Sequence, residues 1–191
     1  MDTKRKVCVG LCALVLLASV LFSSAFYQAQ LKTNNVITFG SIKIQLLNYM
    51  LDENQQEVEV PKEAQPLRLG DVSRIVRVKN ICKEPAFLRV KIALEVETEQ
   101  QTAPAAGYVS VQGTNDAWVQ QGEWLYYDHA LQPGQQTENL MQSLCFDIDK
   151  LTSDYAGADV NLRVEAQAVQ AKHNGTSAMQ AQGWPKEEGK G

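Results

Sequence analysis

Between Ala86 and Glu97 the chain alternates almost without a break. Leu88, Val90, Ile92, Leu94 and Val96 fall on one side, and Arg89, Lys91, Glu95 and Glu97 on the other, with Ala93 the single apolar residue among them. A period of two puts successive side chains on opposite faces, so this stretch predicts a strand with one dry and one wet face. Leu88, Val90, Ile92 and Leu94 are expected to be buried and Arg89, Lys91 and Glu95 exposed. The same period recurs along the chain. Val36 opens a strand that runs on through Ile42, Ile44 and Leu46, with Gly40 as a bulge or close contact; Val72, Val76 and Val78 mark another between Asp71 and Asn80; Val160, Leu162, Val164, Ala166 and Ala168 make the last one, with Asn161, Arg163, Glu165 and Gln167 facing water. Glu57 to Val60 is a short edge strand stopped by Pro61, and Leu140, Leu144 and Phe146 lie at even spacing between Thr137 and Asp147.

Turn signals separate these runs. Trp118 and Val119 lead through Gln121 and Gly122 to Trp124, Leu125, Tyr126 and Tyr127, which is a hairpin pattern, and Pro133-Gly134 makes the next turn. Residues 48–56 and 98–117 read as loops, the second with a short strand at Tyr108 to Val111, and the acidic stretch Asp147 to Asp159 holds one helical turn. Seven to nine short strands without a long amphipathic helix predict an all-β, two-sheet antiparallel sandwich. After Ala171 the residues are small and polar apart from Trp184, so 172–191 is expected to be a flexible tail.

The N-terminus has a different pattern. Lys4, Arg5 and Lys6 precede an uncharged run of 16 residues, Val7 to Phe22, followed by the small residues Ser23 and Ala25. At about 1.5 Å per residue that run spans about 24 Å, short of the roughly 30 Å hydrocarbon core. Residues 1–25 therefore read as a cleaved signal helix cut between Ala25 and Phe26. A retained anchor is the runner-up. Cys12 follows Leu11, where lipid attachment wants Gly or Ala, so lipidation is set aside.

Cleavage leaves 166 residues, enough for one domain with its own core, spanning 26–171. Loss of Lys4, Arg5, Lys6 and Asp2 leaves 15 cations against 21 acids, a net charge of −6. With no basic cluster outside the leader, the chain is not expected to bind nucleic acid, and it meets a membrane only through the uncleaved signal. Cys82 and Cys145 are the two cysteines of the mature chain. In an exported protein they are either one disulfide or two small apolar side chains, and sequence leaves both readings standing.

Several motifs occur together in order: Ser23-Ser-Ala25 before Phe26; Asn35 through Gly40; Val78-Lys-Asn80 leading to Pro85-Ala-Phe-Leu-Arg-Val90; Trp124 to Tyr127 with Leu131-Gln-Pro-Gly134; and Val164-Glu-Ala-Gln-Ala-Val-Gln170 with Trp184. Over nearly the whole mature chain this resembles the camelysin and TasA family of secreted Gram-positive proteins, which a dedicated signal peptidase processes. The resemblance implies a jelly-roll-like sandwich and extracellular fibres of the biofilm matrix, in which the mature N-terminal strand is donated to the next subunit. Residues 26–35 would then hold the donor strand, with Phe26, Tyr27 and Leu31 as anchors and self-association or related matrix subunits as partners. The competing expectation is that these residues fold back on their own subunit or stay loose. Cys82, Cys145 and the Gly- and Lys-containing tail depart from the family pattern.

Catalytic chemistry has little to build on. Some family members carry a metalloprotease label, but His129 and His173 are 44 residues apart and no HExxH is present, so two imidazoles do not share one helix face at a zinc ion. No G-x-S-x-G occurs. Asp147, Asp149, Asp154 and Asp159 lack the ligand spacing of an EF-hand loop. No catalytic residue, metal or cofactor is expected. The reading is a secreted cell-surface or matrix subunit assembling by strand donation. The alternatives are a secreted metallopeptidase of camelysin type and a sugar-binding module that uses Trp118, Trp124, Tyr126 and Tyr127.

Overall fold

A computed structural model describes residues 30–38, 42–61, 65–66, 70–97, 102–104, 109–147 and 159–185. The leader, the cleavage site Ser23/Ala25/Phe26, the anchor Tyr27, Gly40, the acidic 148–158 stretch and residues 186–191 lie outside them. In chain order the strands are β1 (Gln30–Thr38), β2 (Ile44–Leu51), β3 (Glu57–Glu59), β4 (Gln65–Pro66), β5 (Gly70–Asn80), β6 (Ala86–Glu97), β7 (Thr102–Pro104), β8 (Val109–Gln112), β9 (Trp118–Gln121), β10 (Trp124–Tyr127), β11 (Met141–Phe146) and β12 (Asp159–Gln170).

They form a two-sheet all-β sandwich. Sheet A runs β4-β1-β12-β6-β10-β9, with β7 added to the far end of β6, and sheet B runs β3-β2-β5-β11-β8. All ladders are antiparallel except β1 against β12, which is parallel. The inward residues of β6 and β12, including Leu88, Val90, Val96, Leu162 and Val164, meet Ile44, Leu46, Val76, Val78, Leu144 and Phe146 of sheet B in one core. Alternation in sequence thus converts directly into the dry interior between the sheets.

Two expected strands change shape. The run from Val36 to Leu46 is split between sheets, β1 ending at Thr38 and β2 starting at Ile44, and β2 continues to Leu51 into the stretch expected to be loop. On β6, Ile92 and Leu94 are half-buried rather than buried, because they fall between the stretches that β10 covers (Arg89, Val90) and that β7 covers (Glu95 to Glu97). Arg89, Lys91 and Glu95 are half-buried rather than exposed.

Local chemistry fixes the turns. Gly122, with φ of 63°, is the first central residue of the two-residue turn joining β9 and β10, a place that needs positive φ. Pro133-Gly134, with Gly134 at φ 79°, closes through Gln135 N–H to the Gln132 carbonyl at 3.1 Å.

Candidate assembly surface

β1 is the first described strand of the chain and borders β12 along eight parallel register pairs, from Leu31 opposite Val160 to Thr38 opposite Gln167. Its outer neighbour β4 adds only two pairs, Gln30 with Pro66 and Leu31 with Gln65. Leu31, expected in the donor segment, therefore sits in a ladder on its own chain, and that ladder reaches past residue 35 to Thr38.

The edges of the two sheets differ in chemistry. β3 carries Glu57 and Glu59, and β4 ends in Pro66. Charges and proline on an edge discourage pairing with another chain. Glu57 is further engaged by the Arg77 guanidinium, at 2.8 and 2.6 Å, which holds its carboxyl below the usual carboxylate range. Arg77 also donates from Nε to Asn139 Oδ1 at 2.7 Å and lies over the Tyr49 ring at 5.8 Å.

One end of the outer face of sheet A, around Phe87, Val169 and Tyr126, is covered by residues 172–185. Ala178, Ala181 and Trp184 pack with Phe87, Val169, Tyr126 and Ala130 into a second apolar cluster. Asn174 closes this segment, donating from Nδ2 to the carbonyls of Gln170 and Gln182 at 3.0 Å each and accepting from Gln182 N–H at 2.9 Å. The expectation of a loose polar tail is corrected for residues 172–185, whose Ala178, Ala181 and Trp184 pack on Val169 and Phe87 of sheet A. Gln167, expected to face water, is fully buried and accepts a bond from Arg89 Nε at 2.9 Å.

The aromatic residues considered for sugar stacking are engaged within the fold. Arg89 lies 4.1 Å from the Trp124 ring centroid and 4.8 Å from that of Trp184, so its guanidinium is stacked between two indoles. Trp118 and Tyr127 are buried with ring centroids 5.1 Å apart. The Tyr127 hydroxyl donates to Glu138; burial and that bond push the Tyr127 phenol up, and the bond holds Glu138 down. His129 stacks on Tyr127 and pairs with Asp128, whereas His173 occupies a turn at φ 60°. Among the described residues no group of three or more His, Cys, Asp or Glu is placed to hold a metal ion.

Cys82 and Cys145 are free thiols, which corrects the disulfide reading. Cys145 lies opposite Asp71 at the start of β5, and Cys82 follows Asn80 at its end. At roughly 3.3 Å per residue the intervening strand is about 30 Å long, far beyond the roughly 7 Å limit between bridged Cα atoms. Cys82 Sγ accepts from Lys43 N–H at 3.0 Å. A hydrogen bond to Asp71, with burial, pushes the Cys145 thiol up.

Asn80 is a buried polar residue that periodicity could not single out. Its Nδ2 donates to the carbonyls of Glu84 at 2.8 Å and Leu131 at 2.9 Å, and its Oδ1 accepts from Cys82 N–H at 2.9 Å. It thereby ties the Val78-Lys-Asn80 motif to the Leu131-Gln-Pro-Gly134 turn, so these two motifs serve the fold. Comparison with family models, with curated proteins and with solved structures finds no match.

Proposed function

We propose that the mature chain is an extracellular structural subunit, a fibre or biofilm-matrix component, that self-assembles by donating its N-terminal strand. The observation that carries this reading is the placement of β1. The strand nearest the new N-terminus is held beside β12 by a parallel backbone ladder, whereas the next strand, β2, belongs to the opposite sheet. Backbone pairing of this kind is indifferent to which copy supplies the strand, so a neighbour's residues 30–38 can make the same eight pairs. The export signal and the resemblance to the camelysin and TasA family support the same conclusion. Removal of the leader frees the segment beginning at Phe26, which couples export to assembly and keeps the precursor monomeric.

The test is electron microscopy and size-exclusion of the mature protein beside a form lacking residues 26–38, which removes all eight pairs. The expected result is filaments from the first and folded monomers from the second. Equal polymerisation of both, or none at any concentration, overturns the proposal.

A further inference from the structure

Sheet B holds a buried cation for which the described residues supply no carboxylate. On β5, Val72, Val76 and Val78 belong to the core, and Arg74 lies between the first two of them in the chain. It is 2% exposed, and neither its Nε nor its Nη1 has a hydrogen-bond partner. The contrast with the neighbouring arginines is chemical: Arg77 meets a carboxylate, an amide oxygen and a ring, and Arg89 meets an amide oxygen, a hydroxyl and two indoles. Burial draws the Arg74 pKa below its ordinary value, yet a guanidinium stays charged at neutral pH. An ion in such a place is strongly unfavourable unless it is paired and its donors are satisfied.

A second observation falls at the same point. Pairing of β5 with β11 shifts register between Met141 and Ser143, so Arg74 and Ile75 together oppose Gln142. Such bulges interrupt a ladder and re-aim a side chain, commonly beside a functional group.

We propose that Arg74 is the buried receptor for a carboxylate supplied from outside the chain. A carboxylate oxygen can accept from the orphaned Nε–H or Nη1–H, and a single positive charge among valines calls for a monoanion, since a dianionic phosphate would leave net charge buried. Two sources share this chemistry: a free small carboxylate, or the acidic side chain of a second copy.

The experiment follows thermal unfolding of the mature wild type and of Arg74→Met, in chloride buffer at low protein concentration, then with acetate added at constant ionic strength, then across a protein concentration series. Acetate is expected to raise the wild-type midpoint saturably, by about 2–4 °C for each kcal/mol of binding, and to leave Arg74→Met unmoved. A concentration-dependent rise that Arg74→Met lacks, without an acetate response, assigns the carboxylate to a second copy. As a readout independent of the variant's folding, the Arg74 Nε–H resonance of the wild type should shift and exchange more slowly as acetate, or protein concentration, rises. The inference is overturned if Arg74→Met unfolds several degrees below wild type in chloride at low concentration, which means the guanidinium is already paired within its own chain. It is equally overturned if neither acetate nor concentration moves the midpoint or the resonance.

Discussion

β12 has two flanks, and they are built differently. Toward β6 it makes twelve antiparallel register pairs, from Asp159 with Glu97 to Gln170 with Ala86, and both strands drive Leu88, Val90, Leu162 and Val164 into the core. Toward β1 it makes eight parallel pairs, and β1 in turn rests on only two pairs with β4. Parallel pairing is slightly weaker per residue. The β6 flank is therefore the permanent one, fixed by hydrophobic burial between residues about 70 positions apart. The β1 flank is the first described ladder of the chain, and under the proposed function another copy remakes it without dismantling that core.

The largest effect expected from breaking the permanent flank is at Leu162. Leu162→Ala removes a fully buried side chain and should cost about 2–5 kcal/mol in urea unfolding. Ile92→Ala on the opposite strand should cost less than that, because Ile92 is only half-buried; equal losses would mean the gap between β10 and β7 is filled.

The cover over the outer face of sheet A comes next. Trp184→Ala removes an indole stacked on Arg89 and set edge-on to Tyr126 at 6.0 Å, and should lower stability by about 1–3 kcal/mol. A wild-type value would return 172–185 to a loose tail. Tyr127→Phe should cost about 0.5–1.5 kcal/mol, as the hydroxyl donated to Glu138 is lost.

The pH dependence of the last two groups has opposite signs. The Tyr127 phenol is raised in the folded state, so its contribution is complete below the ordinary value of 10.0 and is lost as pH rises above it; Tyr127→Phe should flatten that alkaline limb. Glu57 is lowered by Arg77, so its contribution is present above the ordinary value of 4.5 and is lost as pH falls through the lower folded one. Glu57→Gln should produce the smallest change of the set, seen as a shallower acid limb in a stability-against-pH curve.

Much of the permanent flank was legible in the sequence because burial on one face of a strand writes itself as alternation; the residues at 88–96 and 160–168 are the examples. The hairpin at Trp118–Tyr127 was legible for the same reason, together with a glycine at the turn. The rest depended on contacts that no local pattern carries. The split of Val36–Leu46 between sheets falls between Thr38 and Ile44, where Gly40 reads equally well as a bulge within one strand. The packing of 172–185 rests on Ala178 and Ala181, residues too small to stand out from a polar background. Gln167 and Asn80 are polar residues buried by partners far along the chain, and the spacing of Cys82 from Cys145 became a distance only once β5 was seen to separate them. Arg74 sat among valines in the sequence, and only the lack of a partner for its Nε and Nη1 among the described residues sets it apart from Arg77 three residues on.

The exchangeable flank can be tested by trapping a register pair. With Cys82 and Cys145 replaced by Ser, Lys32→Cys and Asn161→Cys place thiols on residues that are direct partners in the β1–β12 ladder. Oxidation of assembled filaments, followed by non-reducing electrophoresis, then reports which chain supplies β1. Strand donation predicts a ladder of cross-linked dimers and higher multimers from filaments, and intramolecular bridges only from monomers. Filaments that yield nothing but intramolecular bridges would contradict it.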